Sequence, residues 1–154
     1  MTFERSQINI LRHRLGEVPR FMIVVAGPRQ VGKSTLVRQV LSEYRDRSNF
    51  IAVDQPLSDA VDPFSDQTTS TLTQILPGSP PNAEWLVRQW TQARAKAKML
   101  NEGQCYVLAI DEIQKIPRWS EIVKGLWDAD RAENLPLHVI LLGSSPWLMQ
   151  KGLT

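Results

Sequence analysis

The sequence lacks the features that would point to an extracellular or membrane protein. Its 154 residues include a single cysteine, Cys105, so no disulfide can form within the chain. No apolar run approaches the roughly 20 residues of a membrane-spanning helix, and no apolar signal core precedes the first charges. We therefore expect a cytoplasmic protein with no membrane partner. Cys105 lies in an apolar run and is predicted to be a buried, unreactive thiol.

The sequence also lacks a large excess of positive or negative charge. The net charge of +2 is too small to indicate nucleic acid or an acidic membrane surface as a partner. Basic residues within 82–102 are the one suggestion of nucleic-acid binding, and solvated helix faces commonly carry such residues. The length fits one domain spanning residues 1–154, and the hydrophobic fraction of 42% is that of an ordinary globular protein.

Apolar runs alternate with segments of helical period along the chain. Uninterrupted apolar runs are typical of strands buried on both faces of a parallel sheet, and four occur, at residues 21–26, 49–53, 105–110 and 137–142. Amphipathic segments predict helices at residues 3–15, 34–46, 82–101 and from Pro117 onward. This alternation predicts an α/β fold with three layers, in which helices cover both faces of a parallel sheet.

One segment does not follow this alternation. Residues 55–81 hold five prolines and a Ser/Thr-rich middle, and we predict a long loop or insertion there. Loops of this length are uncommon in a compact domain, so the segment is expected either to contain a short helix or to be mobile. Asn82 is expected to cap the helix that follows.

The first predicted strand leads into a glycine-bounded loop. The phosphate-binding pattern G-x-x-x-x-G-K-[ST] is matched by Gly27, Pro28, Arg29, Gln30, Val31, Gly32, Lys33 and Ser34, with Thr35 next in the chain. Backbone N–H groups of such a loop converge on phosphate oxygens, and the following helix adds its positive end. Lys33 suits the β- and γ-phosphates, and the Ser34 hydroxyl suits magnesium. We predict that this loop binds a nucleoside triphosphate with Mg²⁺.

Two more polar clusters follow the third and fourth predicted strands. Asp111 is placed to hold Mg²⁺ through water, and Glu112 to orient and deprotonate an attacking water. Ser144 or Ser145 can place a hydroxyl between Glu112 and the γ-phosphate, although a Ser-Ser-Pro turn explains these serines equally well. Ligands bind beyond the carboxyl ends of parallel strands, so the three clusters are expected to form one site.

Together these motifs resemble the AAA+ ATPases. More narrowly, they resemble a group of prokaryotic AAA+-like ATPases in which a C-terminal domain of poorly known role follows the ATPase domain. The resemblance extends from about residue 21 to 154 and rests on residues 27–36, 108–119 and 139–145. It implies a sheet of order 5-1-4-3-2 and binding of ATP with Mg²⁺. It also implies a Walker A motif at 27–34, a Walker B motif ending at Asp111 and Glu112, and a sensor residue at Ser144 or Ser145.

The resembled proteins continue past residue 154 into an arginine-containing segment, a fifth strand and further domains. We therefore expect an incomplete ATPase domain with strand order 1-4-3-2, whose first strand is an exposed edge. The expected partner is a missing C-terminal domain, another protein or a second copy that covers this edge. Arg29 and Arg118 are candidates for a γ-phosphate contact by proximity only, so efficient hydrolysis stays open.

Four functions are compatible with these residues. The first is slow ATP hydrolysis, with Glu112, Lys33 and Ser144 catalytic, coupled to a partner or to the missing domain. The second is a nucleotide-dependent binding module without turnover. The third is phosphoryl transfer to a small molecule, as in P-loop kinases, against which the pair Asp111 and Glu112 argues. The fourth is nucleic-acid binding. No guanine-reading motif is present, which favours ATP.

Overall fold

The computed structural model describes residues 2–26, 32–53 and 82–144, with side chains from residue 7 onward. The helices are α1 (Thr2–Leu15), α2 (Lys33–Leu41), α3 (Ala83–Lys98) and α4 (Trp119–Ala132). Short 3-10 helices occupy Arg45–Arg47 and Ile113–Lys115. The strands are β1 (Ile23–Ala26), β2 (Ser48–Ala52), β3 (Tyr106–Asp111) and β4 (Leu137–Gly143). The predicted loop at 55–81 lies outside the described residues.

The described strands form one parallel sheet in the order β1-β4-β3-β2. This confirms the predicted α/β class, the parallel pairing and the strand order. The register places Ile110 of β3 opposite Leu141 of β4, and Ala26 of β1 opposite Gly143 of β4. Every residue of β4 is buried, as is every residue of β3 before Asp111. The carboxyl ends of β1, β3 and β4 therefore meet along one edge of a buried sheet.

Helices cover both faces of this sheet, as predicted. Side chains of β3 and β4 alternate between two apolar clusters because successive residues of a strand point to opposite faces. One cluster packs against α1 and α2 and includes Val107, Ala109, Ile140 and Leu142. The other packs against α3 and α4 and includes Tyr106, Leu108, Ile110, Val139 and Leu141, together with three of the five tryptophans, Trp90, Trp119 and Trp127.

The first strand is less buried than its apolar run predicts, and it lies at the edge of the described sheet, as the strand order 1-4-3-2 predicts. β1 begins at Ile23 rather than at Phe21, whose side chain is 74% exposed, and Val24 within the strand is 38% exposed. Among the described strands β1 pairs only with β4 and lies at the edge of the sheet. An edge strand has a neighbour on one side only, so its apolar side chains are less covered than those of β3 and β4.

Several element ends differ from the sequence prediction. The helix after the phosphate loop ends at Leu41, five residues before the predicted end, and a 3-10 turn follows. α4 begins at Trp119, after Arg118 with φ 58°, and not at Pro117. Cys105 precedes β3 and is only half-buried, so its predicted full burial is wrong. The predicted cap is confirmed, because Asn82 Oδ1 accepts the Trp85 N–H at 3.1 Å.

A buried carboxylate connects α3 and α4. Asp130 is 1% exposed and accepts hydrogen bonds from Trp90 Nε1 at 2.7 Å and from Arg94 Nε at 2.6 Å. Arg94 Nη2 also donates to the Leu126 carbonyl at 2.8 Å. Buried charges are tolerated where they are paired and hydrogen-bonded, as Asp130 is. This network fixes how the two helices pack on their face of the sheet.

Within the described ranges, no helix combines the length and the apolar character that crossing a bilayer requires.

Candidate nucleotide site

The amino terminus of α2 is built to receive an anion. Gly32 precedes the helix with φ 85°, a left-handed conformation that glycine adopts without steric cost. The first turn of α2 carries no acidic residue, and the backbone N–H groups at a helix start favour negative charge. Lys33 and Ser34 are half-buried there, and Thr35 is exposed. Gly27, Pro28, Arg29, Gln30 and Val31 lie outside the described residues.

Asp111 lies where β3 ends and faces the start of α2. Its Oδ2 accepts the hydroxyl proton of Ser34 at 2.7 Å, and its Oδ1 accepts the Glu112 N–H at 2.9 Å. Both carboxylate oxygens are thereby oriented. The bond between Ser34 and Asp111 joins residues 77 positions apart, so the two predicted metal ligands are brought together.

The oxygens of Ser34 and Asp111 fit magnesium. Mg²⁺ takes oxygen ligands and is commonly held by one or two carboxylates together with substrate phosphates and water. In the described part of the chain, no group of three or more His, Cys, Asp or Glu side chains could form a cage of protein ligands. The residues present therefore fit a metal bound together with a nucleotide, with phosphate and water supplying the other ligands.

Glu112 is buried next to Asp111 and has an unusual backbone. It is 7% exposed, and its φ of 56° is in the left-handed region that residues other than glycine rarely adopt. Its Oε2 accepts hydrogen bonds from Ser144 Oγ at 3.0 Å and from Gln114 Nε2 at 2.6 Å. The structure thus brings together Glu112 and Ser144 as the sequence predicted. Ser145 lies outside the described residues.

Gln114 is the one member of this cluster that the sequence analysis did not identify. It lies on the 3-10 helix after Glu112, and its Nε2 also donates to Ser144 Oγ at 3.2 Å. A signal was available in the sequence. Gln114 is an uncharged polar residue between the apolar Ile113 and Ile116, two positions after Glu112 of the acidic pair. A polar side chain in such surroundings needs a polar partner.

Arginine contributes nothing to the described part of the site. Arg118, one of the two candidates, is exposed in the turn before α4. Among the described residues, no hydrogen bond joins an arginine to Ser34, Asp111, Glu112 or Ser144. The other candidate, Arg29, lies outside the described residues.

Comparison with known proteins identifies the family. The sequence matches the family described as AAA domain over residues 19–154. The chain belongs to this AAA domain family. Sixteen chains of solved structures also match, among them a variant of Thermotoga maritima RuvB, with 21% identity and a TM-score of 0.49. That match covers 99% of this chain and 40% of the RuvB chain. No match was found among curated proteins.

Family membership supports nucleotide binding by a P-loop ATPase domain. The candidate site of this AAA domain is assembled from four segments, of which only the second and third are adjacent in sequence. They are the start of α2, the end of β3, the 3-10 helix that follows β3, and the residue after β4. A helix start without acidic residues, a magnesium-compatible pair and a hydrogen-bonded glutamate therefore lie together at the carboxyl edge of the sheet.

Proposed function

We propose that this AAA domain binds Mg–ATP and hydrolyses it slowly, and that its nucleotide state is coupled to a protein partner. One observation carries the proposal. Ser34 at the start of α2 donates to Asp111 at 2.7 Å, and Glu112, next in the chain, is held by Ser144 at 3.0 Å. A magnesium-compatible pair next to an oriented glutamate supports ATP hydrolysis, because it can place a metal on the phosphates and a base near the attacking water.

In this proposal the start of α2 binds the triphosphate. The helix N–H groups and Lys33 contact phosphate oxygens, and Lys33 places its charge against the β- and γ-phosphates. Ser34 and Asp111 hold the magnesium ion, which neutralises part of the phosphate charge when it is bound. The match to the phosphate-loop pattern over residues 27–34 supports this assignment independently of the side-chain contacts.

Glu112 is the general base of the proposed reaction. It accepts a proton from a water molecule as the water oxygen bonds to the γ-phosphorus, and the bond from that phosphorus to the β–γ bridging oxygen breaks, releasing ADP. The two hydrogen bonds that the structure gives the carboxylate both reach Oε2. We assign proton acceptance to the other oxygen, Oε1. Ser144 orients Glu112 through its hydroxyl.

Turnover by this chain alone is proposed to be slow. An arginine on the γ-phosphate accelerates related phosphoryl transfers by roughly 10³- to 10⁵-fold. No arginine in the described part of the chain hydrogen-bonds to Ser34, Asp111, Glu112 or Ser144, and Arg118 is exposed. Either a partner supplies this arginine or the reaction proceeds without it.

We propose that protein covers the exposed edge of β1. Within the described sheet β1 pairs only with β4, and the exposed fractions of Val18, Phe21 and Val24 are 71%, 74% and 38%. Unpaired backbone groups beside apolar side chains favour pairing with a further strand. A monodisperse monomer in sedimentation, with β1 amides protected from hydrogen exchange, would contradict this part of the proposal.

Two substitutions separate nucleotide binding from turnover. Lys33→Ala is expected to abolish ATP binding in calorimetry, because the charge against the phosphates is lost. Glu112→Gln is expected to bind ATP as the wild type does and to lose phosphate release, since an amide cannot take the proton. The matched controls are the exposed Lys98→Ala and Glu84→Gln on α3, which should behave as the wild type.

Each outcome has a distinct meaning. Phosphate release by Glu112→Gln at the wild-type rate would refute the assignment of the base. ATP binding without any phosphate release by the wild type, even at high enzyme concentration, would indicate a nucleotide-dependent binding module instead. Formation of ADP only when an acceptor is added would indicate a small-molecule kinase.

A further inference from the structure

Gln114 forms a closed triangle of hydrogen bonds with the two polar residues around it. Its Nε2 donates to Glu112 Oε2 at 2.6 Å and to Ser144 Oγ at 3.2 Å. Ser144 Oγ in turn donates to the same Glu112 oxygen at 3.0 Å. The hydroxyl proton of Ser144 points to the carboxylate, so its oxygen is left to accept from Gln114. The three side chains therefore fix one another.

The chemistry of the neighbours determines which end of the Gln114 amide faces Glu112. A carboxylate oxygen only accepts, so the group 2.6 Å from it has to be the NH₂ group. With the amide reversed, two acceptors would lie at that distance. The amide oxygen, Oε1, is then buried without a hydrogen-bond partner among the described residues.

This arrangement is not the one that core stability favours. A buried carbonyl oxygen without a partner is destabilising, and an apolar side chain of similar length would avoid that cost. The neighbouring Ile113 and Ile116 are fully buried and supply the apolar packing of this turn. Gln114 instead directs its amide NH₂ to a buried glutamate whose backbone is in the left-handed region.

We propose that Gln114 is a positioning residue for the reaction assigned to Glu112. It holds the carboxylate by Oε2, so that Oε1 is presented to the attacking water. This inference rests on the proposed hydrolysis. Among the described contacts Gln114 bonds to Glu112 and Ser144, and the hydrogen bonds of Ser34 and Asp111 do not include it, so we expect it to act on turnover through Glu112 and not on binding.

The test compares kcat for phosphate release with the Kd for ATP in Gln114→Met. The variant keeps the length of the side chain and removes the donor. We expect kcat for phosphate release to fall roughly 10- to 100-fold, the loss typical of a misplaced catalytic group. We expect the Kd for ATP, measured by calorimetry, to stay within about twofold of the wild type. The thermal midpoint should change little, because the unpartnered amide oxygen is removed together with the donor to Glu112.

Two further variants make the result specific. Gln114→Glu keeps the shape and replaces the donor with an acceptor, so its kcat should be at least as low as that of Gln114→Met. Combined with Glu112→Gln, Gln114→Met should lower the residual rate no further, because residues that act as one unit are not additive. Gln92→Met, the same change at an exposed position on α3, is the control and should match the wild type.

The outcomes distinguish this inference from the function on which it rests. An active wild type together with an equally active, folded Gln114→Met would overturn the role of Gln114 and leave hydrolysis intact. A parallel loss of ATP binding and kcat would also overturn it, since that pattern indicates a structural role. If Gln114→Met does not fold, the same comparison of kcat with the Kd for ATP is made on the nearly isosteric Gln114→Glu. A wild type that binds ATP and releases no phosphate would overturn both proposals.

Discussion

Removing the Asp130 carboxylate is expected to destabilise the domain more than any surface change on α4. In Asp130→Ala the indole N–H of Trp90, which is 0% exposed, loses the one acceptor that it has among the described residues. A buried donor left unsatisfied costs about 1–3 kcal/mol. Arg94 loses its ionic partner at 2.6 Å but keeps the Leu126 carbonyl, and its side chain is 24% exposed.

The lost acceptor of Trp90 and the lost ionic partner of Arg94 together determine how far the free energy of unfolding falls. Breaking a fully buried ion pair costs about 3–5 kcal/mol, and the partial exposure of Arg94 places this pair at the lower end. We therefore expect Asp130→Ala to lower the free energy of unfolding by about 3 kcal/mol, a large share of the 5–15 kcal/mol typical of a domain. Asp130→Asn retains one acceptor and is expected to cost about half as much.

Urea denaturation followed by circular dichroism measures this difference directly. The midpoint should fall while the slope with urea concentration stays constant, as for a change in stability alone. Asp128→Ala, at an exposed position of the same helix, is the control and should stay within about 0.5 kcal/mol of the wild type. Equal midpoints for Asp130→Ala and Asp128→Ala would refute the assignment of this network to stability.

Three other predictions follow from the described contacts. Burial lowers the pKa of His138, whose Nε2 lies 2.9 Å from the Glu17 carbonyl. The unfolded chain therefore takes up this proton first, and stability present above about pH 6.5 is lost as pH falls toward the folded pKa. His138→Gln should flatten this part of a pH series of urea midpoints, and an unchanged profile would contradict the reasoning. Burial also raises the pKa of Cys105, so its alkylation at pH 7.5 should be slower in the native protein than in urea, and equal rates would argue against it. Ser34→Ala should lose the gain in ATP affinity that Mg²⁺ confers in calorimetry, whereas a retained gain would exclude Ser34 as a magnesium ligand.

Much of the fold and part of the site could be predicted because strand identity and strand ends are local properties. Uninterrupted apolar runs locate β3 and β4, and polar residues that follow parallel strands must meet at one edge of the sheet. Ser34 with Asp111, and Glu112 with Ser144, are in contact for this reason. Ser34 and Asp111 are 77 residues apart in sequence, and Glu112 and Ser144 are 32 apart, so it is the parallel sheet that brings each pair together.

The features that could not be predicted depend on side-chain conformation and on long-range packing. Gln114 donates to Glu112, whose backbone is in the left-handed region, and no local pattern at these positions specifies either feature. Asp130 meets Trp90 across 40 residues, and on sequence grounds it is one more acid on an amphipathic helix. The exposure of Val24 follows from the position of β1 at the edge, whereas the apolar run itself favours a fully buried strand.

The strands that carry the candidate site differ in how well they are covered by the rest of the domain. Asp111, Glu112 and Ser144 follow β3 and β4, whose apolar residues are almost completely covered by helices on both faces. The start of α2 follows β1 in the chain, and β1 pairs with one described neighbour and is partly exposed. Stability within one domain is uneven, and poorly covered edges open at lower free energy than central strands. Covering the edge of β1 is thus expected to act first on the segment proposed to hold phosphate, and only secondarily on the glutamate proposed as the base.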